Sequence, residues 1–62
     1  MNRKRIKELM EEREITQKEL ADVAGVSQPF MSYLLRGYKV PSVPVLKRIA
    51  EYFGVPMESL ID

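Results

Sequence analysis

Residues 16–37 read TQKELADVAGVSQPFMSYLLRG, and this stretch decides the fold. Thr16 opens it and Glu19 follows three residues later, which is the spacing of a reciprocal capping box at the start of a helix. Gly25 stands where a residue in the left-handed conformation ends a helix, and Ser27 is suited to cap a second one. The pattern predicts two short helices joined by the tight turn after Gly25.

A turn this tight cannot place the two helices antiparallel and sets them at a large angle, the geometry of a helix-turn-helix over residues 16–36. The second helix has apolar residues at helical spacing, Met31, Leu34 and Leu35, which are expected to point inward. Its opposite side projects from the domain and fits a DNA major groove, which is about 12 Å wide. That side carries Gln28, Pro29, Ser32, Tyr33 and Arg36, with Phe30 near the boundary.

Helical spacing continues on both sides of this stretch. An apolar stripe precedes it, at Ile6, Leu9 and Met10, and another follows it, at Leu46, Ile49, Ala50 and Phe53. Ser42 is placed to cap the fourth helix, and a last short helix is predicted at residues 57–61. The chain is therefore predicted to be all-α, one compact five-helix domain over residues 1–62. Its expected core contains Leu20, Ala21, Val26, Met31, Leu34, Leu46, Ile49 and Phe53.

The composition excludes several classes of function. The chain has 62 residues, enough for one small domain, and contains no Cys and no His. Thiol catalysis, Cys- or His-bound metals and Ser-His-Asp chemistry are thereby excluded, so we expect no enzyme and no cofactor. No apolar run approaches the ~20 residues that span a bilayer, and no secretory signal is predicted. The expected location is the cytoplasm of a bacterium or archaeon, with a phage as a further source of the gene.

The net charge of +1 hides a segregation of charge along the chain. Residues 1–7 carry four bases and no acid, whereas residues 8–22 carry six acids and two bases. Residues 23–50 contain no Asp or Glu but hold the bases Arg36, Lys39, Lys47 and Arg48. This acid-free middle stretch is able to hold a polyanion. The alternative is four exposed bases without a partner.

Several short segments of the chain stand in an order and spacing that is known from other proteins. They are TQKELA at 16–21, GVSQ at 25–28, Met31-Ser32, Arg36-Gly37, Pro41-Ser42, Leu46, Ile49-Ala50, Phe53-Gly54-Val55 and Leu60. Together they resemble the phage-repressor and Cro family of helix-turn-helix proteins, whose fold is the lambda-repressor-like domain. The resemblance covers nearly the whole chain from Arg5 onward.

The resemblance implies a surface that binds double-stranded DNA. It places contacts to base edges at Gln28, Pro29, Phe30, Ser32 and Tyr33. It places contacts to phosphates at Gln17, Arg36, Tyr38, Lys39 and Ser42. The basic N-terminal arm of some family members, at residues 1–5 of this chain, corresponds to Arg3, Lys4 and Arg5. At the base-reading position, a Gln amide can bond the N7 and N6 groups of one adenine, a contact that contributes about 1–3 kcal/mol of discrimination.

Each of these roles has a plainer alternative. Gln17 and Gln28 can be solvated residues of a first helical turn, and Tyr33 can cover the core. Phe30 can belong to the core edge or to a partner surface, and the N-terminal bases can form a fraying helix start. The apolar side chains of Pro29, Phe30 and Tyr33 also favour binding of a protein.

The family implies a sequence-specific transcription regulator, expected to be a repressor that binds an inverted-repeat operator as a homodimer. The predicted dimer interface lies near the C-terminus, at Tyr52, Met57 and Ile61, while Leu60 is expected in the core. A different class of function is also open. On the same fold, the chain can be a protein-interaction module or an antitoxin-like protein that binds a partner.

The sequence departs from the family pattern at the end of the first helix and at one expected ion pair. Many members have Arg at the position of Met10 and Glu at that of Leu35, and two apolar residues here predict a direct packing contact. Glu14 stands where the family often has Gly, which predicts either a different turn or a strained one.

If Met10 and Leu35 pack together, the substitution Leu35→Glu buries a carboxylate without a partner. We expect it to lower the free energy of unfolding by about 1–3 kcal/mol. A thermal melt measures this, and an unchanged melting temperature would contradict the contact between the two side chains.

Overall fold

The computed structural model describes residues 1–61 and is helical, with no strand in that range. Asp62, the last residue of the predicted domain, lies outside the described residues. The elements in chain order are α1 (Arg3–Arg13), α2 (Gln17–Ala24), α3 (Gln28–Arg36), α4 (Val43–Phe53) and a 3-10 helix (Met57–Leu60).

Each α-helix begins at a side chain that accepts a hydrogen bond from a backbone amide three residues later. The acceptors are the Asn2 amide oxygen (3.0 Å), the Thr16 hydroxyl (3.1 Å), the Ser27 hydroxyl (3.2 Å) and the Ser42 hydroxyl (3.4 Å). The Glu19 carboxylate also accepts the Thr16 amide at 3.4 Å, which completes the predicted capping box. The sequence pattern had indicated three of these caps, and Asn2 is the fourth.

All four α-helices also end in the same way, at a residue in the left-handed conformation. The next residue donates its amide to the carbonyl five residues earlier, which satisfies a carbonyl that the helix leaves without a partner. Glycine takes the left-handed position after α2, α3 and α4, but Glu14 takes it after α1 with φ of 55°. The turn after α1 is therefore the usual one, formed by a residue that adopts it under strain.

One core lies between the helices. α2 packs against α3 and α4, and the 3-10 helix packs against α4 and α1. The buried side chains are Ile6, Leu9, Leu20, Ala21, Ala24, Met31, Leu34, Leu35, Leu46, Ile49, Ala50, Phe53 and Leu60. The predicted core is thus observed, except that Val26 is half-buried at its edge. Leu35 is buried and Met10 half-buried, and both line one surface crevice with Ile15. Direct contact between the side chains of Met10 and Leu35 stays a prediction.

The prediction of a fifth α-helix is wrong. Residues 57–61 contain a 3-10 helix of four residues, closed by bonds from the Ser59 amide to the Pro56 carbonyl (3.0 Å) and from the Ile61 amide to the Glu58 carbonyl (3.3 Å). Pro56 precedes the segment without a side-chain cap, and one short turn offers too few residues for the longer-range bonds of an α-helix. Buried Leu60 holds the turn on the core, and its carbonyl accepts the Asn2 amide at 2.7 Å.

The residue that follows each left-handed position is apolar, and three of these four residues pack on the core. Ile15, Val26 and Val55 are half-buried against it. Tyr38, at the same position after α3, is 70% exposed and instead faces Tyr33, with 6.3 Å between the ring centroids. Tyr38 therefore contributes little to the packing of the core.

Relief of the strain at Glu14 is expected to stabilise the protein. Glu14→Gly should raise the free energy of unfolding by about 0.5–1 kcal/mol, because a side chain in the left-handed conformation costs about 1–2 kcal/mol and the added freedom of the unfolded chain offsets part of the gain. The control is Glu8→Gly in the exposed middle of α1, which should cost about 1 kcal/mol. Urea denaturation measures both, and two changes of the same sign would contradict the strained turn.

The contrast between Tyr38 and Val26 predicts different costs of truncation at equivalent positions. Tyr38→Ala should change the free energy of unfolding by less than about 0.5 kcal/mol, as is usual for exposed residues. Val26→Ala should cost about 1–2 kcal/mol, because it removes half-buried apolar surface at the core edge. Equal losses in urea denaturation would show that Tyr38 has a structural role after all.

Candidate nucleic-acid interface

The outer face of α3 is formed by residues that its packing leaves uncovered. Met31, Leu34 and Leu35 are buried, so the helix is fixed with its other side outward. Gln28 is the first residue of α3 and is exposed. Tyr33 lies five residues later in α3, about 1.4 turns along the helix, and is 44% exposed, as expected for a residue on the outer side.

Pro29 is exposed in the first turn of α3, where its missing amide proton is not needed. The two remaining residues predicted to contact bases are less accessible. Phe30 is half-buried and packs against the core, and Ser32 is also half-buried. The face offered by α3 therefore consists of the Gln28 amide, the Pro29 ring and the Tyr33 ring with its hydroxyl.

The residues predicted to contact phosphates are all exposed. Gln17 is the first residue of α2, and Arg36 is the last residue of α3. Tyr38 and Lys39 lie in the connection between α3 and α4. Ser42 caps α4 through its oxygen, which leaves its hydroxyl proton free to donate to an anion. Within the part of the chain described, no hydrogen bond joins the amide of Gln17 to that of Gln28.

The three bases predicted to form an arm lie instead in the first turn of α1. Asn2 caps this helix and donates its own amide to the Leu60 carbonyl, so the start of the chain is held against its end. The Arg3 guanidinium lies against Gly37, where a methyl group added to the glycine would come within 2.8 Å of its Cζ atom. Arg3 and Lys39 line the same surface depression at the C-terminal end of α3. Contact of these bases with DNA stays a prediction.

The acid-free stretch does not offer all of its four bases equally. Arg36, Lys39, Lys47 and Arg48 are all exposed, but Arg48 also makes a hydrogen bond within the protein. The Arg48 guanidinium donates to the Ala24 carbonyl at 3.3 Å and lies over Gly25, in the turn between α2 and α3. Sequence analysis missed this role of Arg48, although one sequence feature pointed to it, since α2 has no basic residue in its last turn.

Exposed apolar side chains continue from α3 into its connection with α4. We call Tyr33, Tyr38, Val40 and Val43 the apolar rim. Their exposed fractions are 44%, 70%, 84% and 67%. Val40 and Val43 were not among the predicted site residues, because apolar spacing alone does not distinguish an exposed valine from a buried one.

The predicted dimer surface near the C-terminus is only partly available. Tyr52 is 40% exposed and meets the ring of Phe53 edge-on at 5.3 Å. Ile61 is 50% exposed, whereas Met57 is half-buried against the core. Tyr52 and Ile61 are therefore the side chains with apolar surface to offer there.

Among the described helices, none has the length and apolar character to cross a membrane. Residues 1–61 also bring no three His, Cys, Asp or Glu side chains together in a way that could hold a metal ion. The chemistry of the exposed face consists of amide, hydroxyl, aromatic and cationic groups. Such groups bind by hydrogen bonds, ring contacts and charge.

Known proteins share this sequence pattern. The model of the helix-turn-helix family matches residues 6–60. The chain is 34% identical over 58 residues to the HTH-type transcriptional regulator DdrOP3 of Deinococcus deserti, a match that covers 94% of this chain and 45% of that protein. It is 39% identical over 46 residues to an uncharacterized HTH-type transcriptional regulator of Mycobacterium tuberculosis, covering 74% of this chain and 33% of that protein.

The chain thus spans less than half the length of these relatives. No solved structure matches it. The family match extends over all four α-helices, from the buried Ile6 of α1 to the buried Leu60 of the 3-10 helix. The chain belongs to the helix-turn-helix family of the Cro and phage-repressor type.

Proposed function

We propose that this protein binds double-stranded DNA in a sequence-specific manner and regulates transcription. The observation that carries the proposal is the outer face of α3, where exposed Gln28 and Tyr33 lie within a stretch of 28 residues free of Asp and Glu, residues 23–50. A face without acids does not repel a phosphate backbone. The names of the relatives, transcriptional regulators, support the same function.

In this proposal α3 enters the major groove and its N-terminal residues contact the base edges. Gln28 bonds both hydrogen-bonding groups of an adenine. Pro29 and Tyr33 offer apolar surface to thymine methyl groups, and the smaller accessible parts of Phe30 and Ser32 lie between them. Base contacts of this kind supply the sequence preference.

Phosphate contacts position the protein on the duplex and carry no sequence information directly. We propose that Gln17, at the start of α2, and Ser42, at the start of α4, bind phosphates together with helix N-terminal amides. Arg36, Tyr38 and Lys39 extend these contacts along the backbone. Arg3 lies beside Lys39 in one depression and contributes its charge there, with Lys4 and Arg5 on the same helical turn.

We further propose that the protein acts as a repressor and binds as a homodimer in the cytoplasm. One helix-turn-helix contacts few bases, and pairing doubles the site, with half-sites about 34–36 Å apart. The exposed rings and side chains of Tyr52 and Ile61, with part of Met57, supply the apolar surface for the second copy. Repression requires only occupation of the operator. We propose no catalytic activity and no cofactor.

The apolar rim favours a second candidate function, the binding of a protein. Val40 is 84% exposed and Val43 is 67% exposed, and neither side chain carries a charge. An antitoxin-like protein would use Val40 and Val43 for its partner and the α3 face for DNA. The response to salt separates the two functions, because apolar contacts between proteins lack the release of counterions that accompanies phosphate binding.

Selection from a pool of random DNA duplexes tests the proposed function. The purified protein should retain and enrich an inverted repeat. Its affinity should fall with salt at a log–log slope of about −5, the value for roughly six phosphate contacts. Retention without enrichment would contradict the base contacts. No retention at low salt would contradict DNA binding and leave protein binding as the function.

The glutamines that open α2 and α3 form a matched pair for the roles within that function. Gln28→Ala should relax the preference at one position in each half-site, by about 1–3 kcal/mol. Gln17→Ala removes the same amide from a phosphate contact, so it should weaken binding to all sequences alike. Competition binding with single-base variants of the selected site measures both, and an unchanged base preference in Gln28→Ala would contradict base reading by this residue.

A further inference from the structure

Arginine side chains from another helix lie at the C-terminal ends of the two α-helices whose last turn has no basic residue. α1 and α3 each carry a basic residue in the last turn, whereas α2 and α4 carry none. The end of α4 receives Arg13 from α1, whose guanidinium donates to the Phe53 carbonyl at 2.6 Å and to the Tyr52 carbonyl at 3.3 Å. The end of α2 receives Arg48 from α4.

The end of α2 needs such a partner more than an ordinary helix end does. Its negative dipole end carries Asp22, an added negative charge close to the last carbonyls. Ala24 is the last residue of α2, and its carbonyl has no partner within the helix. The Arg48 guanidinium supplies both a hydrogen bond to this carbonyl, at 3.3 Å, and a positive charge.

The same guanidinium lies on the turn that leads into α3. A methyl group on Gly25 would overlap the terminal nitrogen of Arg48, so the two residues are in direct contact across the turn. Gly25 is in the left-handed conformation with φ of 74°, and the next amide, of Val26, donates to the Ala21 carbonyl at 3.0 Å. Ser27 then caps α3. The direction of α3 relative to α2 is therefore set within three residues, next to Arg48.

We propose that Arg48 is a positioning residue for α3, the DNA-reading helix. Arg48 acts through the turn between α2 and α3 and does not itself contact DNA phosphates. This inference rests on the proposed function for its effect on DNA, but it also makes a claim about the free protein. Of the four bases in the acid-free stretch, Arg36 and Lys39 are the two proposed to bind phosphates. Arg48 sets the orientation in which α3 presents Gln28 and Tyr33.

The experiment compares Arg48→Ala with two matched controls. Arg13→Ala removes the other arginine that bonds the end of a neighbouring helix. Arg13 belongs to α1 and bonds the end of α4, where no DNA contact is proposed. Lys39→Ala removes an exposed charge that is proposed to contact a phosphate. Arg48→Lys keeps the positive charge at the end of α2. All four variants are compared with the unchanged protein at a temperature at which circular dichroism shows each to be fully folded, so that lost stability alone does not alter the affinity.

The first readout is the set of backbone amide chemical shifts in the free protein. Arg48→Ala should shift the signals of Gly25 and Val26 and those along α3, and Arg48→Lys should restore most of them. Arg13→Ala should shift signals at the end of α4 and leave those of α3 in place. Unchanged α3 signals in Arg48→Ala would overturn the proposal.

The second readout is DNA affinity, measured with the selected duplex and with a random duplex of equal length. Arg48→Ala should lower the ratio of specific to non-specific affinity about tenfold, equal to about 1.4 kcal/mol, at an unchanged salt slope. Lys39→Ala, which removes one of the proposed phosphate contacts, should lower both affinities alike and reduce the slope by about one. The same reduced slope in Arg48→Ala would show a phosphate contact and overturn the proposal.

The two readouts separate failure of this inference from failure of the proposed function. If the unchanged protein binds neither duplex at low salt, DNA binding is wrong. The amide signals of α3 in Arg48→Ala then decide alone whether Arg48 positions the helix.

Discussion

The fold depends on how its short helices end. The four α-helices have between 8 and 11 residues, lengths at which an isolated helix is marginal in water. Each ends at a left-handed residue, and the turn that follows brings an apolar residue back over the helix it leaves. After α1, α2 and α4 this residue joins the core, which fixes where the next element begins. The end of α2 is the one on which the position of α3 depends.

The same constraint explains which features could be predicted from the sequence. The capping residues and glycines carry a local signal, so Thr16, Ser27 and Gly25 located the helix-turn-helix without tertiary information. The role of Arg48 required the distance between α4 and α2, which no spacing along the chain provides. The segment at residues 57–61 was predicted as an α-helix because so short an apolar pattern fits an α-helix and a 3-10 helix equally well.

The candidate site was predictable as a face and less so residue by residue. Helical spacing identified the outer side of α3, because the buried side chains fix its rotation. Helical spacing did not show that Phe30 packs against the core or that Val40 is exposed. Nor did it show that the N-terminal bases are helical and that one of them, Arg3, lies against Gly37. These properties depend on packing between elements distant in the chain.

The central claim is that DNA binds the outer face of α3 and the connection that follows it. Titration of the isotope-labelled protein with the selected duplex, followed by its amide signals, tests this most directly. The account predicts the largest changes at the start of α2, along α3 and from Tyr38 to Ser42. Changes confined to the surface around Tyr52 and Ile61 would contradict it, because DNA would then occupy the face proposed for the second copy.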